Sequence, residues 1–197
     1  SGKDGATLVY VPHCEFLMGS NEIRTSLNGE QSPSYYDNHP QHSIFLDAFW
    51  IDKFEVTNRQ YALCVSAGGC ALPANLKSVT RPRYFGEPDF DDYPAVYVDW
   101  YMATAYCEWA GRRLSTEAEW EKAARGEKGN IYPWGSEIPN DALLNFDSPN
   151  RDTNEVGKYP NGASPYGALD MAGNVWEWVN DWYHSSYYQF SPDVNPP

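Results

Sequence analysis

The chain has 197 residues, with 14 Lys+Arg against 27 Asp+Glu and a formal net charge of −13 at pH 7. That length suits one domain with a real core, and the acidity excludes a nucleic-acid partner, because a phosphate backbone needs a basic face. With 42% apolar and 16% aromatic residues the acidity is not a mark of disorder, and no apolar run is long enough to form a membrane-spanning segment.

ATLVYVP (6–12) and EFLMGS (15–20) are short apolar runs divided by Pro12 and closed by Gly19, and they read as strands. Residues 21–41 are polar, carry Pro33 and Pro40, and read as a long loop. His42 to Val56 alternates apolar with polar side chains, as half-buried strand pairing requires. Thr57-Asn58-Arg59-Gln60 is a capping box that opens a helix near 58–67, and Gly68 stops it. A loop of about 25 residues, rich in Pro and acidic groups, follows. Asp99 caps a second helix near 100–110, on which Met102, Ala105, Tyr106 and Trp109 keep helical spacing up to Gly111. Thr116 to Glu119 is another capping box, and its helix closes at Gly126. Beyond that point Gly, Pro, Asn and Asp recur every few residues, and only short strands fit, at 155–159 and 175–179. The pattern is one α+β domain with a large irregular half.

Cys64 and Cys70 sit six apart across Gly68-Gly69, a return short enough to bring them within bridging range, so a disulfide is expected. Such a bridge favours an oxidising compartment, extracellular or periplasmic. Cys107 lies on an apolar helix face as a small hydrophobe, Cys14 stands in an early strand or turn, and no CxxC or CxxH spacing supports a zinc site.

Asp170 and Glu177 bracket a turn whose Gly173 and Val175 carbonyls can join them around Ca²⁺, which takes six to eight oxygens and accepts carbonyls mixed with carboxylates. The plain alternative is a turn with two solvated acids. Asn145-Phe146-Asp147 with Asp152 is a weaker oxygen-rich stretch made of ordinary turn residues. His39 and His42 are separated by Pro40-Gln41, and the spacing of the histidines neither supports nor excludes an iron site. No GxSxG, P-loop, GxGxxG or HExxH is present. Trp176 and Trp178 alternate on one strand face and read as core. Trp182, Tyr183, Tyr187 and Tyr188 lie in a more polar context and form the candidate binding surface.

FWIDKFEVTNRQY (49–61), PAVYVDWYMATAYCEWAGRRLSTEAEWEKAARG (94–126), YPWG (132–135) and YGALDMAGNVWEWVNDWY (166–183), in that order, closely resemble the formylglycine-generating enzyme, or sulfatase-modifying factor, family from about residue 7 to about 183. The resemblance implies a variant of the C-type lectin fold, a mixed and irregular α+β domain. It implies one Ca²⁺ held by Asp170, the Gly173 and Val175 carbonyls and Glu177. A second would involve Asn145 and the Phe146 carbonyl, with Asp152 standing in for ligands from an acidic loop that is short here. The family's oxidase binds copper through two cysteines beyond the WEW motif, and soft thiolates suit Cu(I). None of the four cysteines here matches that place, so no catalytic residue carries over, and 1–197 is expected to be a single domain incomplete at its C-terminus. The CVSAGGC segment (64–70) is instead similar to family members appended to signalling proteins.

The leading expectation is therefore a non-catalytic, Ca²⁺-stabilised module that binds a protein or small ligand, with a missing C-terminal segment or a second chain as further partners. Its rival is the N-terminal portion of a formylglycine-generating oxidase or a related metal-dependent oxidase. Copper enters only if a further segment supplies a cysteine pair. Family members that display variable residues on the same scaffold form a third class.

Overall fold

Short apolar alternation in the first fifty positions builds four strands, Leu8–Val11 (β1), Cys14–Met18 (β2), His42–Leu46 (β3) and Phe49–Asp52 (β4). They are seen in a computed structural model that describes residues 2–21, 37–146 and 152–197. β1 pairs antiparallel with β4, Leu8 opposite Asp52, and β2 pairs antiparallel with β3, Cys14 opposite Leu46. The alternating stretch 42–56 is thus divided at Asp47-Ala48, and its two strands serve different sheets. Most of the loop expected at 21–41, residues 22–36, lies outside the described residues. Residues 193–195 return to β3: Phe45 N donates to the Asp193 carbonyl at 2.8 Å, and Asn195 N to the Phe45 carbonyl at 2.8 Å.

Among the described residues the α-helices are Asn58–Ser66 (α1), Trp100–Ala110 (α2) and Glu117–Arg125 (α3). Both expected capping boxes form. Thr57 Oγ1 accepts from Gln60 N while Gln60 Oε1 accepts from Thr57 N, and Thr116 and Glu119 repeat the exchange. Asp99 Oδ1 accepts from Met102 N at 2.9 Å, and Gly111 ends α2 at φ 81°, the left-handed conformation that glycine adopts without strain.

α3 presents Ala118, Ala123 and Ala124 to the sheets, and these small side chains let the helix lie close against Phe16 and Val11. Between them Lys122, fully buried, donates its Nζ to the Pro12 carbonyl at 2.8 Å and the Cys14 carbonyl at 3.2 Å, tying α3 to the β1–β2 corner. A separate cluster of Tyr61, Cys64, Tyr106 and Ala110 joins α1 to α2. The expected Cys64–Cys70 disulfide closes the end of α1, with Cα atoms 5.3 Å apart. Cys107 is half-buried and packs against the same cluster, and Cys14 opens β2.

The long loop between α1 and α2 is held by side chains. Tyr84 is fully buried and donates its hydroxyl to the Pro94 carbonyl at 2.7 Å, and the Arg81 guanidinium lies 5.0 Å from the Phe90 ring and 5.1 Å from that of Tyr93. The strands expected at 155–159 and 175–179 do not form. The backbone donors there are taken by side chains and distant loops: Val156 N by the Asp92 carbonyl, Gly157 N by Asp170 Oδ2, Val175 N by Glu55 Oε1. The architecture is irregular α+β, with two small sheets against one helix and a large loop half.

Candidate functional site

Glu55 leaves β4 and is buried beneath the loop that runs from Asp170 to Trp178. Asn174, held left-handed at φ 70°, fastens that loop. Its Nδ2 donates to Glu55 Oε2 at 2.8 Å, and its Oδ1 accepts from Asn154 N at 2.8 Å and Asn145 Nδ2 at 3.0 Å. Val175 N adds a bond to Glu55 Oε1 at 3.2 Å. Asp170, also at positive φ, is buried and accepts from Gly157 N at 2.6 Å. Glu177 accepts from Trp120 Nε1 at 3.0 Å.

The electrostatics of this group are one-sided. Burial pushes the Glu55 carboxyl well above its ordinary range, and the charges of Glu177 and Asp170 push it further. Glu177 is raised to about 7 by enclosure, with Asp170 and Asp52 adding to it. The residue lines an open cavity, so solvent reaches it although protein surrounds its carboxylate. Asp170 is raised by burial against the opposing Gly157 hydrogen bond. Asp170 and Glu177 lie on this loop and Glu55 beneath it, all three taking hydrogen bonds from neutral donors. Oxygen groups are the kind of ligand that Ca²⁺ takes. Asp170 and Glu177 would supply side chains and Gly173 and Val175 carbonyls, and Glu55 stands beside them. Among the described residues, no group of three or more His, Cys, Asp or Glu is placed to hold a metal ion. The Gly173 carbonyl accepts from Val175 N at 3.0 Å.

Asn145, Phe146 and Asp152 line a neighbouring cavity of about 460 Å³, whereas Asp147 lies outside the described residues. Asp152 is otherwise employed than as an open metal ligand. Its Oδ2 accepts from Ser78 Oγ at 2.7 Å, Thr80 Oγ1 at 2.6 Å and Thr80 N at 2.9 Å, and its Oδ1 lies 3.2 Å from Arg81. Burial would raise its carboxyl, but the Thr80 and Ser78 bonds outweigh that and bring it down to about 2. It anchors the 78–81 turn, and its charge is already matched by Arg81.

The aromatic expectations divide. Trp176 is fully exposed and Trp178 half-exposed, its Nε1 donating to the Val98 carbonyl at 3.0 Å, so the reading of this pair as core is corrected. Trp182 and Tyr183 are exposed, Trp182 with its ring 5.8 Å from that of Trp100. Tyr187 is half-buried against the core, and Tyr188 is buried, its hydroxyl bonded to Glu117 at 2.9 Å and Glu121 at 3.0 Å. Tyr188 is thus a core residue, because its hydroxyl found partners on α3. The candidate surface reduces to Trp182 and Tyr183, joined by Trp176 and Trp178.

Beside the 170–178 loop opens a cavity of about 470 Å³, lined among others by Trp50 and Asp52 of β4, Ala103 and Cys107 of α2, and Trp176 and Glu177. Sequence reasoning passed over Glu55, Asn174 and Asp52, since a single acid or amide carries no periodic signal, and only its burial marks it.

Residues 2–195 match the family profile for the sulfatase-modifying factor enzyme 1-like domain. The chain is similar to the serine/threonine-protein kinase pkn1 of Chlamydia caviae, 39% identical over 187 residues, which is 89% of this chain and 29% of that protein. It spans less than a third of that relative's length. It is similar to the formylglycine-generating enzyme of Streptomyces coelicolor, 33% identical over 238 residues, covering 95% of this chain and 73% of that protein. Among solved structures, PvdO from Pseudomonas aeruginosa aligns with a TM-score of 0.74 at 26% identity, covering 98% of this chain and 76% of PvdO.

Proposed function

The chain belongs to the sulfatase-modifying factor enzyme 1-like domain family, and from that premise we propose that it acts as a non-catalytic, Ca²⁺-stabilised module of C-type-lectin-like fold that binds a protein or small ligand. The observation that supports this reading is the placement of Asp170 and Glu177 on one loop with Glu55 buried beneath it, the charge of Asp170 acting against both glutamates. A divalent cation held by Asp170, Glu177 and the Gly173 and Val175 carbonyls offsets that repulsion and fixes the loop. The exposed Trp176, Trp178, Trp182 and Tyr183 beside it supply the contact surface that such a loop would present. The similarity to 29% of a protein named as a kinase fits a module carried within a larger signalling chain.

The test is thermal unfolding with and without EGTA. Chelation lowers the melting temperature, and Asp170→Ala removes the Ca²⁺ dependence. Identical melting curves under both treatments overturn the metal reading.

A second reading, part of a formylglycine-generating oxidase, is favoured by 33% identity to an enzyme of that name over 73% of its length. Copper chemistry would need a thiolate pair. Cys64 is bonded to Cys70, and burial, then the charge of Asp52, pushes the Cys107 thiol up to about 11. Cys14, at the start of β2, is the other free cysteine. Mass spectrometry of a cysteine-containing peptide incubated with the native polypeptide and copper decides it: loss of the thiol with gain of an aldehyde establishes the oxidase.

A further inference from the structure

We propose that the cavity between β4, α2 and the 170–178 loop is a pocket for an amphipathic monocation, an alkyl- or arylammonium group whose apolar part fills the cavity and whose charge meets Asp52. This rests on the ligand-binding reading above and names the class of ligand.

The shape comes first. The cavity holds about 470 Å³, within the usual range for a small-molecule site, and its walls are mainly apolar, with Trp50, Val98, Ala103, Leu169 and Met171 among them. Such walls favour an occupant with an apolar body.

The charges decide its sign. Four acids, Asp52, Glu55, Glu119 and Glu177, line the cavity with two bases, Arg112 and Arg113. Glu119 and Arg113 cancel one another through two bonds, at 2.6 and 2.7 Å. Arg112 is committed to Asp4, to which it donates from both Nη atoms, while Tyr106 donates to the same carboxylate. Asp52 is left with the same Arg112 at 3.4 Å on one oxygen, and its Oδ1 is buried with no hydrogen-bond partner among the described residues. Its side chain is a quarter exposed and forms part of the cavity wall. Glu55 and Glu177, which receive neutral donors among the described residues, belong to the loop assigned to Ca²⁺ and are not counted toward the ligand. Asp52 therefore leaves net negative charge on the strand side of the lining, which repels an anionic ligand and attracts a cation.

The number and place of the charges set the rest. Asp52 is a single carboxylate on the strand side of the cavity, apart in sequence from the loop oxygens suited to Ca²⁺, and it matches one unit of charge on a small head group. The Trp50 and Trp176 rings, which also line the cavity, favour a cation electrostatically as well.

The experiment titrates the whole chain, in Ca²⁺-containing buffer, with three probes of one shape: 2-phenylethylamine, 2-phenylethanol and 3-phenylpropionate. Heat of binding and tryptophan fluorescence are recorded. The amine binds about tenfold tighter than the alcohol, and the carboxylate does not bind. Asp52→Asn weakens the amine about tenfold and leaves the alcohol unchanged. Ala103→Phe fills the cavity and abolishes binding of both, while its far-ultraviolet spectrum and cooperative unfolding stay those of the parent. Equal binding of amine and alcohol, binding of none of the three, or amine binding untouched by Asp52→Asn overturns the pocket. The metal reading is separable. If EGTA leaves the melting temperature unchanged while Asp52-dependent amine binding persists, the pocket stands without the metal. If EGTA shifts melting while no probe binds, the pocket falls alone.

Discussion

Asn174 reaches across 119 residues to Glu55, donating its side-chain amide at 2.8 Å while its own backbone sits at φ 70°. Asparagine is among the few residues that tolerate that conformation, and here it also closes the loop onto Asn145 and Asn154. Asn174→Ala leaves the buried Glu55 short of a donor and adds left-handed strain, and it lowers unfolding free energy by about 2–4 kcal/mol. Asn174→Gly removes the strain alone and lies about 1 kcal/mol above the alanine variant. Urea unfolding ranks the three proteins. An alanine variant equal to the parent contradicts the fastening role.

Acid stability depends on Asp4 and Asp152. Burial would raise both carboxyls, but Arg112 and Tyr106 at Asp4, and Thr80 and Ser78 at Asp152, bring them down to about 2 from an ordinary 3.8. The folded state thus binds fewer protons than the unfolded one, so this stabilisation is whole above about pH 4 and drains away as pH falls through 2. Melting temperature in EGTA should drop steeply across that window, and Asp152→Asn should flatten the drop.

Asp52 works in the opposite sense. Burial raises it to about 6 despite Arg112, with Asp4 adding to the rise. Its folded state holds a proton that the unfolded state has lost, so its contribution is whole below about pH 4 and is lost as pH rises through 6. Asp52→Asn is therefore expected to melt higher than the parent at pH 8 and no higher at pH 4. A variant that melts lower at pH 8 refutes this account.

Lys122 is fully buried and gives its ammonium to two carbonyls at the β1–β2 corner. Lys122→Ala strands both carbonyls and opens a cavity beneath α3, at a cost of about 3 kcal/mol or more. Denaturant unfolding measures it. A loss below about 1 kcal/mol would show that water replaces the ammonium without difficulty.

The Cys64–Cys70 bridge closes a loop with a sequence separation of only 6. Chain entropy assigns so short a loop about 2 kcal/mol. Cys70→Ser lowers stability by that amount, and reductant then has no further effect on the variant.

The helices were legible because their signals are local. Thr57, Asp99 and Thr116 each cap a helix with their own side chains, and the bonds seen are those the sequence pattern requires. The irregular half was not, because its bonds are distant. Trp176 and Trp178 alternate as a buried strand does, yet Val175 N is shared between the Gly173 carbonyl and Glu55, and no ladder forms. Tyr188 stood among polar neighbours and still went inside, since Glu117 and Glu121 receive its hydroxyl. Asp152 looked like one more turn acid until the 78–81 turn, 72 residues away, closed on it. The loop acids Asp170 and Glu177 were readable from their motif, whereas Glu55 showed itself only through burial.

The stretch from His42 to Asp52 belongs to both sheets, with Asp47 and Ala48 alone between β3 and β4. A one-residue slip in either ladder would turn its inward side chains outward. With so little slack at the corner, the slip would pull the other ladder out of step as well. Each ladder thereby proofreads the other, and the two sheets are expected to form in a single concerted event rather than one after the other.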